Sequence, residues 1–500
     1  MIIDDQYYNV IIVGTGAGGG TLARKLASTG KKILLLDRGE LIHRESSELV
    51  DTEVFKKEQF HAPEPWYDNT GEPFYPQTYY AVGGNTKIWS GVLQRMRERD
   101  FEEVQHQGGV SPAWTLKYQD FEPYYTEAEK LYQVHGKVAD DPTEPPHSEA
   151  YPFGAVAHEP MVQRIGDTLS QQGLHPVHLP LGLGERGRTD AEDTGVSPIL
   201  NSENVTLKTA AQVVCLHTNP SGSEIKAVQA TIGEQSYLFL GDIVVLACGA
   251  VNSAALLLRS ANEKHPNGIA NGSGQVGRNL MKQLLSVVVQ LTSTTNSGSF
   301  SRTLGLNDFY WGDKDFPYPM GHVQNSGGIF QDVIFAEAPP ILSALSRLMP
   351  DFGLRQLATH SIGWWLKTED LPNPNNRVRY VGGKLRIDYT ANNVEAHDRL
   401  VYRWVDVLKS VEQTQPNVFN RTTHPRSDMP VQVVAHQCGT CRFGEDPATS
   451  VLDLNCRTHE VHNLYVVDSS FFPSHASVSP GLTVIANALR VGDRLIEQMG

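Results

Sequence analysis

The sequence predicts an α/β fold in which a doubly wound, dinucleotide-binding (Rossmann-like) domain, assembled from discontinuous segments, joins a second domain built on an antiparallel sheet with helices. Three observations carry this prediction. Residues 8–37 read as an apolar strand, a glycine turn, an amphipathic helix and a second apolar strand. "DIVVLACGAVNSAALLLRS" (242–260) repeats the order strand, glycine turn, helix. From Leu291 to about Pro430 the texture changes, and short strand-like pieces alternate with Gly, Pro and Asn turns.

In the first unit, "YNVIIVG" is a buried strand and "TLARKLAST" a helix with Leu22, Ala23, Leu26 and Ala27 on one side. Gly30 ends that helix, and "KKILLLD" is the second strand. Gly14, Gly16 and Gly19 form G-x-G-x-x-G between strand and helix. Gly14 permits the tight turn, Gly16 lets the backbone approach a pyrophosphate, and Gly19 lets the helix pack on the strand. The helix N-terminus adds amide donors and a positive dipole end. Asp37, at the end of the second strand, is placed to accept ribose hydroxyls and disfavours the 2′-phosphate of NADP.

Residues 45–77 are rich in proline, aromatics and charge without periodicity and read as an irregular excursion or lid. "YAVGGNTKIWSG" (80–91) holds Gly83-Gly84, either a simple turn or a second close approach of backbone to a flat cofactor. A proline-rich break at 141–154 marks a domain crossing. "VTLKTAAQVVCLHT" and "SEIKAVQATI" alternate as strands, as does "KLRIDY"; "VEAHDRLVYRWVDVLKSVE" is an amphipathic helix. "NLYVVDSS" and "GLTVIANALRVGDRLIEQM" close the chain as strand and helix. The expected division is therefore 1–44, 78–140, 195–290 and 445–500 for the cofactor domain, with 141–194 and 291–444 for the substrate domain.

Composition narrows the function. The net charge of -14 over 500 residues leaves no basic excess for nucleic acid or an anionic membrane surface. No apolar run reaches the roughly 20 residues that span a bilayer. The N-terminus carries acids where a secretory signal carries positive charge, so a cytoplasmic location is expected. Five cysteines do not form a secreted disulfide framework. "HQCGTC" (436–441) leaves three chemistries open: a zinc site with Cys456, His459 or His462, a redox dithiol, or a segment that positions His436. Trp364, Trp365 and Tyr380 fit either a core or a sugar-stacking surface.

Taken in order, "VIIVGTGAGGGTLARKLA", "LLLDRGE", "VGGNTKIWSG", "VVLACGAVNSAALLLRS", "GQVGRNLM", "HQCGTCRFG" and "NLYVVDSSFFPSHASVSPGLTVIANALR" resemble the motifs of the glucose-methanol-choline (GMC) family of FAD-dependent oxidoreductases over essentially the whole chain. Within it the chain looks most similar to the bacterial pyranose oxidase and glycoside 3-oxidase branch. The resemblance implies FAD as cofactor and oxidation of a CH–OH group of a sugar or other alcohol, with oxygen or another acceptor taking the electrons. It places cofactor contacts at Gly14, Gly16, Gly19, Asp37 and Arg38, and in the second glycine motif at Gly83, Gly84, Asn85, Thr86 and Trp89. Val214, Gly249, Asp468, Pro480 and Leu482 complete the implied set, and no metal is implied. The family carries its flavin-tethering histidine where Ile88 stands here, so dissociable FAD is expected. His436 is the implied base.

Its implied partner, a second His or an Asn, lies at or next to the proline of "SVSP", where this chain has Ser479 and Pro480, a departure that leaves His475 as the nearest imidazole in sequence. The alternatives are a flavoprotein subunit feeding a separate haem or quinone-linked partner, and a non-catalytic FAD redox sensor; a homo-oligomer is compatible with each.

Overall fold

The structure is a computed structural model and describes residues 1–42, 62–295, 302–326, 359–415, 424–433 and 436–500. A seven-stranded sheet organises the cofactor half. Its opening strand, Ile2–Val13, lies parallel to Ile33–Leu36 on one side and to Gln235–Leu246 on the other. Val205–Lys208 and Leu464–Val466 add further parallel strands, and Ala211–Thr218 with Ile225–Ile232 forms an antiparallel extension. Val10–Val13, Ile33–Leu36 and Val244–Leu246 are buried, and strands covered on both faces read as continuous apolar runs, as these do. The helix Ala17–Ala27 packs on the terminal helix Gly481–Met499, which in turn packs on Tyr118–Leu131.

The second sheet has six strands in the order Arg426–Asp428, Leu284–Leu291, Ser361–Thr368, His322–Asn325, Leu304–Leu306, Pro176–His178, all neighbours antiparallel. Strand alternation splits its residues between two faces. Val288, Ile362, Trp364 and Leu366 pack with Ala396, Leu400, Trp404 and Leu408 of the amphipathic helix Val394–Thr414. Trp365 and Lys367 face the other way.

"KLRIDY" forms a strand, Lys384–Asp388, but not in this sheet. It makes a hairpin with Arg377–Val381 across Gly382-Gly383, both at positive φ (+60° and +76°), the backbone a two-residue hairpin demands. The hairpin then pairs through Arg386 with Tyr67, so it belongs with the excursion instead. The expected lid at 45–77 lies, in its part 45–61, outside the described residues; Pro63, Glu64, Tyr67 and Gln77 line the cavity described next. Among the described residues no helix is long and apolar enough to cross a membrane.

Candidate active site

One cavity of about 860 Å³ runs from the first glycine turn to the face of the antiparallel sheet that carries Leu285, Trp365 and Lys367. At its first end the walls are backbone. A Cβ at Gly14 (φ +95°) would stand 2.4 Å from Ala247 O, and one at Gly18 2.2 Å from Val467 O. The helix start is thus pressed onto two strands that are more than 200 residues apart in the chain. A Cβ at Gly84 (φ +56°) would come within 3.3 Å of Gly16 Cα, so the two glycine motifs meet face to face. Gly16 caps the helix without a side-chain hydrogen bond, and the first turn holds no acid. The dipole end therefore opens uncompensated onto the cavity wall at Gly16, Ala17 and Gly18, which fits a pyrophosphate.

Two carboxylates lock this cradle. Asp37 Oδ2 accepts from Thr15 N (3.0 Å) and Thr15 Oγ1 (2.5 Å), and Oδ1 accepts from Gly39 N (2.8 Å). Oδ1 keeps a lone pair for a ribose hydroxyl. Burial raises its pKa against these hydrogen bonds. Thr15 Oγ1 also accepts from Gly83 N at 3.0 Å, tying the first glycine turn to the second. Asp468 accepts from Gly249 N (3.0 Å) and Ser253 Oγ (2.5 Å) through Oδ2, and from Ser470 N (2.9 Å) through Oδ1.

Gly14, Gly16, Asp37, Arg38, Gly84, Asn85, Thr86, Trp89, Gly249, Asp468 and Pro480 all lie on the cavity wall. Arg38 is held bidentately by Glu64 (2.8 and 3.1 Å) and lies over the Tyr80 ring. Four of the expected cofactor residues are not on the cavity wall. Val214 is absent from the wall: Ala211, Gln212 and Val213 line the cavity, and the strand's register shifts between Val213 and Cys215, at Val214 itself. Leu482 is fully buried in the core, since the helical turn presents Gly481 and Val484 to the cavity instead. Gly19 and Gly83 stand behind the wall: a Cβ at Gly19 would lie 2.0 Å from Gly14 O, and Gly83 holds Thr15. Ile88 lines the cavity with a side chain that has no nucleophilic atom.

At the other end the walls are side chains. His436 is half-buried and faces the cavity. Its Nδ1 lies 2.7 Å from Gln283 Oε1. The Gln283 amide nitrogen donates to both Ala476 O (2.9 Å) and Val478 O (2.8 Å), which fixes its oxygen as the atom facing the histidine. His436 therefore carries its proton on Nδ1 and leaves Nε2 as an acceptor. Burial, with the charges of Lys367, His475 and Arg302, holds the imidazolium pKa well below the ordinary 6.5, so the ring is neutral at neutral pH.

The "HQCGTC" segment places this ring. Cys438 pairs with Met281 through two backbone hydrogen bonds (2.9 and 3.0 Å), and Gly439 N and Cys441 N donate to Ser469 O and Ser470 O. Both thiols are buried, and burial pushes their pKa values up. Among the described residues no group of three His, Cys, Asp or Glu is arranged to hold a metal.

Ser479 lies on the cavity wall and His475 does not. His475 Nε2 donates to the backbone oxygen of His436 (2.9 Å), and its Nδ1 lies against Ala476 O (3.1 Å). It is turned away from the cavity and steadies the main chain that carries His436. Ser479 Oγ accepts instead from Lys367 Nζ at 2.8 Å. Trp365 lines the cavity under the Arg302 guanidinium, 4.7 Å from the ring centre, while Trp364 is core, edge-on to Trp404. Tyr380 is on the wall and 38% exposed.

Sequence reasoning missed Thr15, Gln283 and Lys367. Gln283 carries no motif signal. A lysine inside "SIGWWLKT", an otherwise apolar strand, was the one available hint for Lys367.

A glycine-lined cradle that fits a pyrophosphate, continuous with a neutral histidine on the same cavity wall, fits a nucleotide-dependent oxidoreductase. Residues 9–285 and 372–488 match the N- and C-terminal domains of the GMC oxidoreductases, and the chain belongs to that family. It is an FAD-dependent oxidoreductase acting on alcohol groups. It is 29% identical to paromamine 6′-oxidase of Streptomyces fradiae, over 97% of this chain and 91% of that one. It is 24% identical to the large subunit of fructose dehydrogenase from Gluconobacter japonicus, over 98% of both. Pyridoxine 4-oxidase from Mesorbium loti shares the fold, with a TM-score of 0.71, 17% identity and coverage of 97% and 99%.

Proposed function

We propose that this protein oxidises a CH–OH group of a sugar or glycoside to a carbonyl, with His436 as the base. The observation that carries the reading is the single cavity with the dinucleotide cradle at one end and His436 Nε2, its tautomer set by Gln283, at the other. When bound, FAD supplies the acceptor for the hydride that leaves the carbinol carbon. The chain supplies the rest. His436 Nε2 takes the hydroxyl proton, and the imidazole can do so because it is neutral and desolvated. Gln283 then accepts a hydrogen bond from Nδ1–H of the imidazolium, so the ring keeps its orientation through the transfer.

Sugar substrates are supported by the similarity to an aminoglycoside oxidase and a fructose dehydrogenase, and placement among the pyranose-oxidase-like members goes with that proposal. Trp365 offers a flat ring for a sugar face on the cavity wall. Residues 1–44, 78–140, 195–290 and 445–500 serve as the cofactor domain, 141–194 and 291–444 as the substrate domain, in a cytoplasmic protein. A second reading, a flavoprotein subunit that passes electrons to a separate partner, draws on the fructose dehydrogenase similarity.

The test is anaerobic reduction of the purified yellow protein by a panel of monosaccharides, glycosides, alditols and simple alcohols. Bleaching by a sugar is the expected result, and bleaching by none sinks the reading in favour of a non-catalytic sensor. Reoxidation with oxygen and with artificial acceptors then separates oxidase from dehydrogenase. Acid precipitation should leave FAD in the supernatant, because Ile88 offers no atom for a tether.

A further inference from the structure

The position where the family places its second catalytic side chain is occupied here by Ser479, and the structure puts a cation behind it. Lys367 lies on the strand Ser361–Thr368, opposite Leu285 of the strand Leu284–Leu291. Residues directly opposite each other, and residues two apart, share a face of a sheet. Gln283, Leu285, Trp365 and Lys367 accordingly all reach the same cavity wall. Lys367 is only 2% exposed, yet it has no carboxylate partner among the described residues. Two of its three N–H groups are used: Nζ donates to Ser479 Oγ at 2.8 Å and to Gln324 Oε1 at 3.1 Å. The third N–H has no acceptor among the described residues.

The path from Lys367 to the base is short and built of fixed parts. Lys367 holds Ser479; the preceding residue, Val478, gives its carbonyl to Gln283; Gln283 gives its oxygen to His436. Lys367 is also among the charges that act on the His436 ring. A buried ammonium without a counter-ion is costly, and the sites that retain one have a use for the charge.

We propose that Lys367 is the second catalytic residue of this enzyme, donating a hydrogen bond from its third N–H to the substrate hydroxyl oxygen, with Ser479 and Gln324 aiming it. This rests on the alcohol-oxidation reading above. As the hydroxyl proton passes to His436 Nε2 and the carbinol C–H pair leaves as hydride to the family's flavin, the C–O bond becomes C=O and the negative charge on oxygen is met by Lys367. Lys367 keeps all of its own protons. The role that the family gives to an imidazole or amide on the terminal loop is thus supplied from the substrate sheet.

Burial, reinforced by Arg302, brings the Lys367 pKa down to about 7. The other titratable or charged groups facing it are His322 across the neighbouring strand, Arg302 and His436; none is a carboxylate. The donor form is therefore the one lost as pH rises.

The experiment compares wild type with Lys367→Met and Lys367→Arg, all as holoenzyme with FAD content measured first. A sugar that bleaches the wild type is used for stopped-flow reduction across pH. Lys367→Met should slow reduction by about a hundredfold, the scale of losing one positioned donor to a developing oxyanion, and should lose the high-pH fall of the wild type. Lys367→Arg should retain much of the rate and keep it at high pH. Azide binding, read from the flavin absorption spectrum, should weaken in the wild type as pH rises and lose that dependence in Lys367→Met.

Equal reduction rates in Lys367→Met, or an unchanged pH profile, would overturn the proposal. So would a rate in the wild type that rises with pH through the Lys367 titration, because that would make the amine a base. Azide binding without pH dependence in the wild type, or with it in Lys367→Met, counts the same way. If Lys367→Met binds no FAD, Lys367→Arg decides: a high-pH fall that persists in it overturns the proposal. Wild type that no alcohol reduces would instead remove the functional reading on which the proposal stands.

Discussion

The two ends of the cavity are built by opposite means. At the cofactor end, main chain meets main chain: Gly14 against Ala247, Gly18 against Val467, Gly84 against Gly16. At the substrate end, long side chains from separate elements converge: His436, Gln283, Lys367 and Trp365. The first arrangement fails if a single carbon is added. The second tolerates changes of shape and fails when a particular donor or acceptor is lost. The difference teaches where each kind of mutation should act, and it can be broken experimentally.

The largest effect belongs to the backbone end. Gly18→Val places a Cβ 2.2 Å from Val467 O, where neither partner is a flexible side chain. We expect no soluble holoenzyme, a loss above about 3 kcal/mol. Gly30→Ala is the control: its φ is +72° and nothing lies within 4 Å of the added carbon. Only the left-handed backbone then opposes the methyl, at about 1 kcal/mol. Melting temperature and FAD content check both. A Gly18→Val protein that folds and binds FAD as wild type would show that the contact at the helix start is not close.

Next come His436→Ala and Gln283→Leu, which leave the cradle untouched. His436→Ala should retain FAD and slow its reduction by a factor on the order of a hundred or more. Gln283→Leu keeps most of the volume but removes the oxygen that fixes the Nδ1–H tautomer and leaves two carbonyls without their donor. A loss of about tenfold at full FAD content is expected. The sign of the pH effect follows from the depressed His436 pKa: the base remains unprotonated as pH falls through 6.5, so the acid limb of the wild-type rate lies below that value. An acid limb at or above 6.5 that vanishes in His436→Ala would contradict the environment described.

The same contrast explains what could be read from sequence. A glycine required by a backbone collision, as at Gly14 and Gly19, or by a left-handed backbone, as at Gly83, Gly84 and Gly249, admits no easy substitute, so these glycines stand out in a single sequence, and the strands beside them are continuous apolar runs. The parallel sheet was legible for that reason. Side-chain convergence leaves no such trace. Gln283 looks like one more polar residue after "GQVGRNLM", and its role depends on two carbonyls nearly 200 residues away. His475 was readable as an imidazole near the right place, but not its direction, which is set by the carbonyl of His436. Val214 and Leu482 each stand next to a residue on the cavity wall, Val213 and Gly481: a register shift at Val214 and the turn of the helix at Leu482 decide which neighbour lines the cavity, and neither is visible in the sequence. "KLRIDY" was legible as a strand, but its pairing with Tyr67 was not, since nothing local specifies a partner more than 300 residues away.

The smallest predicted effect is at Ser479, and it tests the division of labour at the substrate end. The serine oxygen accepts one of the two hydrogen bonds that aim Lys367; Gln324 accepts the other. Ser479→Ala removes one anchor and leaves the ammonium held by Gln324. One hydrogen bond is worth about 1 kcal/mol, roughly a fivefold slowing of flavin reduction. Ser479→Ala should therefore be far milder than His436→Ala, and the pH profile should keep its wild-type shape because both titrating groups remain. Stopped-flow reduction of the two variants beside wild type, at several pH values, makes the comparison. If Ser479→Ala is as slow as His436→Ala, the serine itself meets the substrate, and a small residue on the terminal loop does what the geometry assigns to a lysine on the sheet.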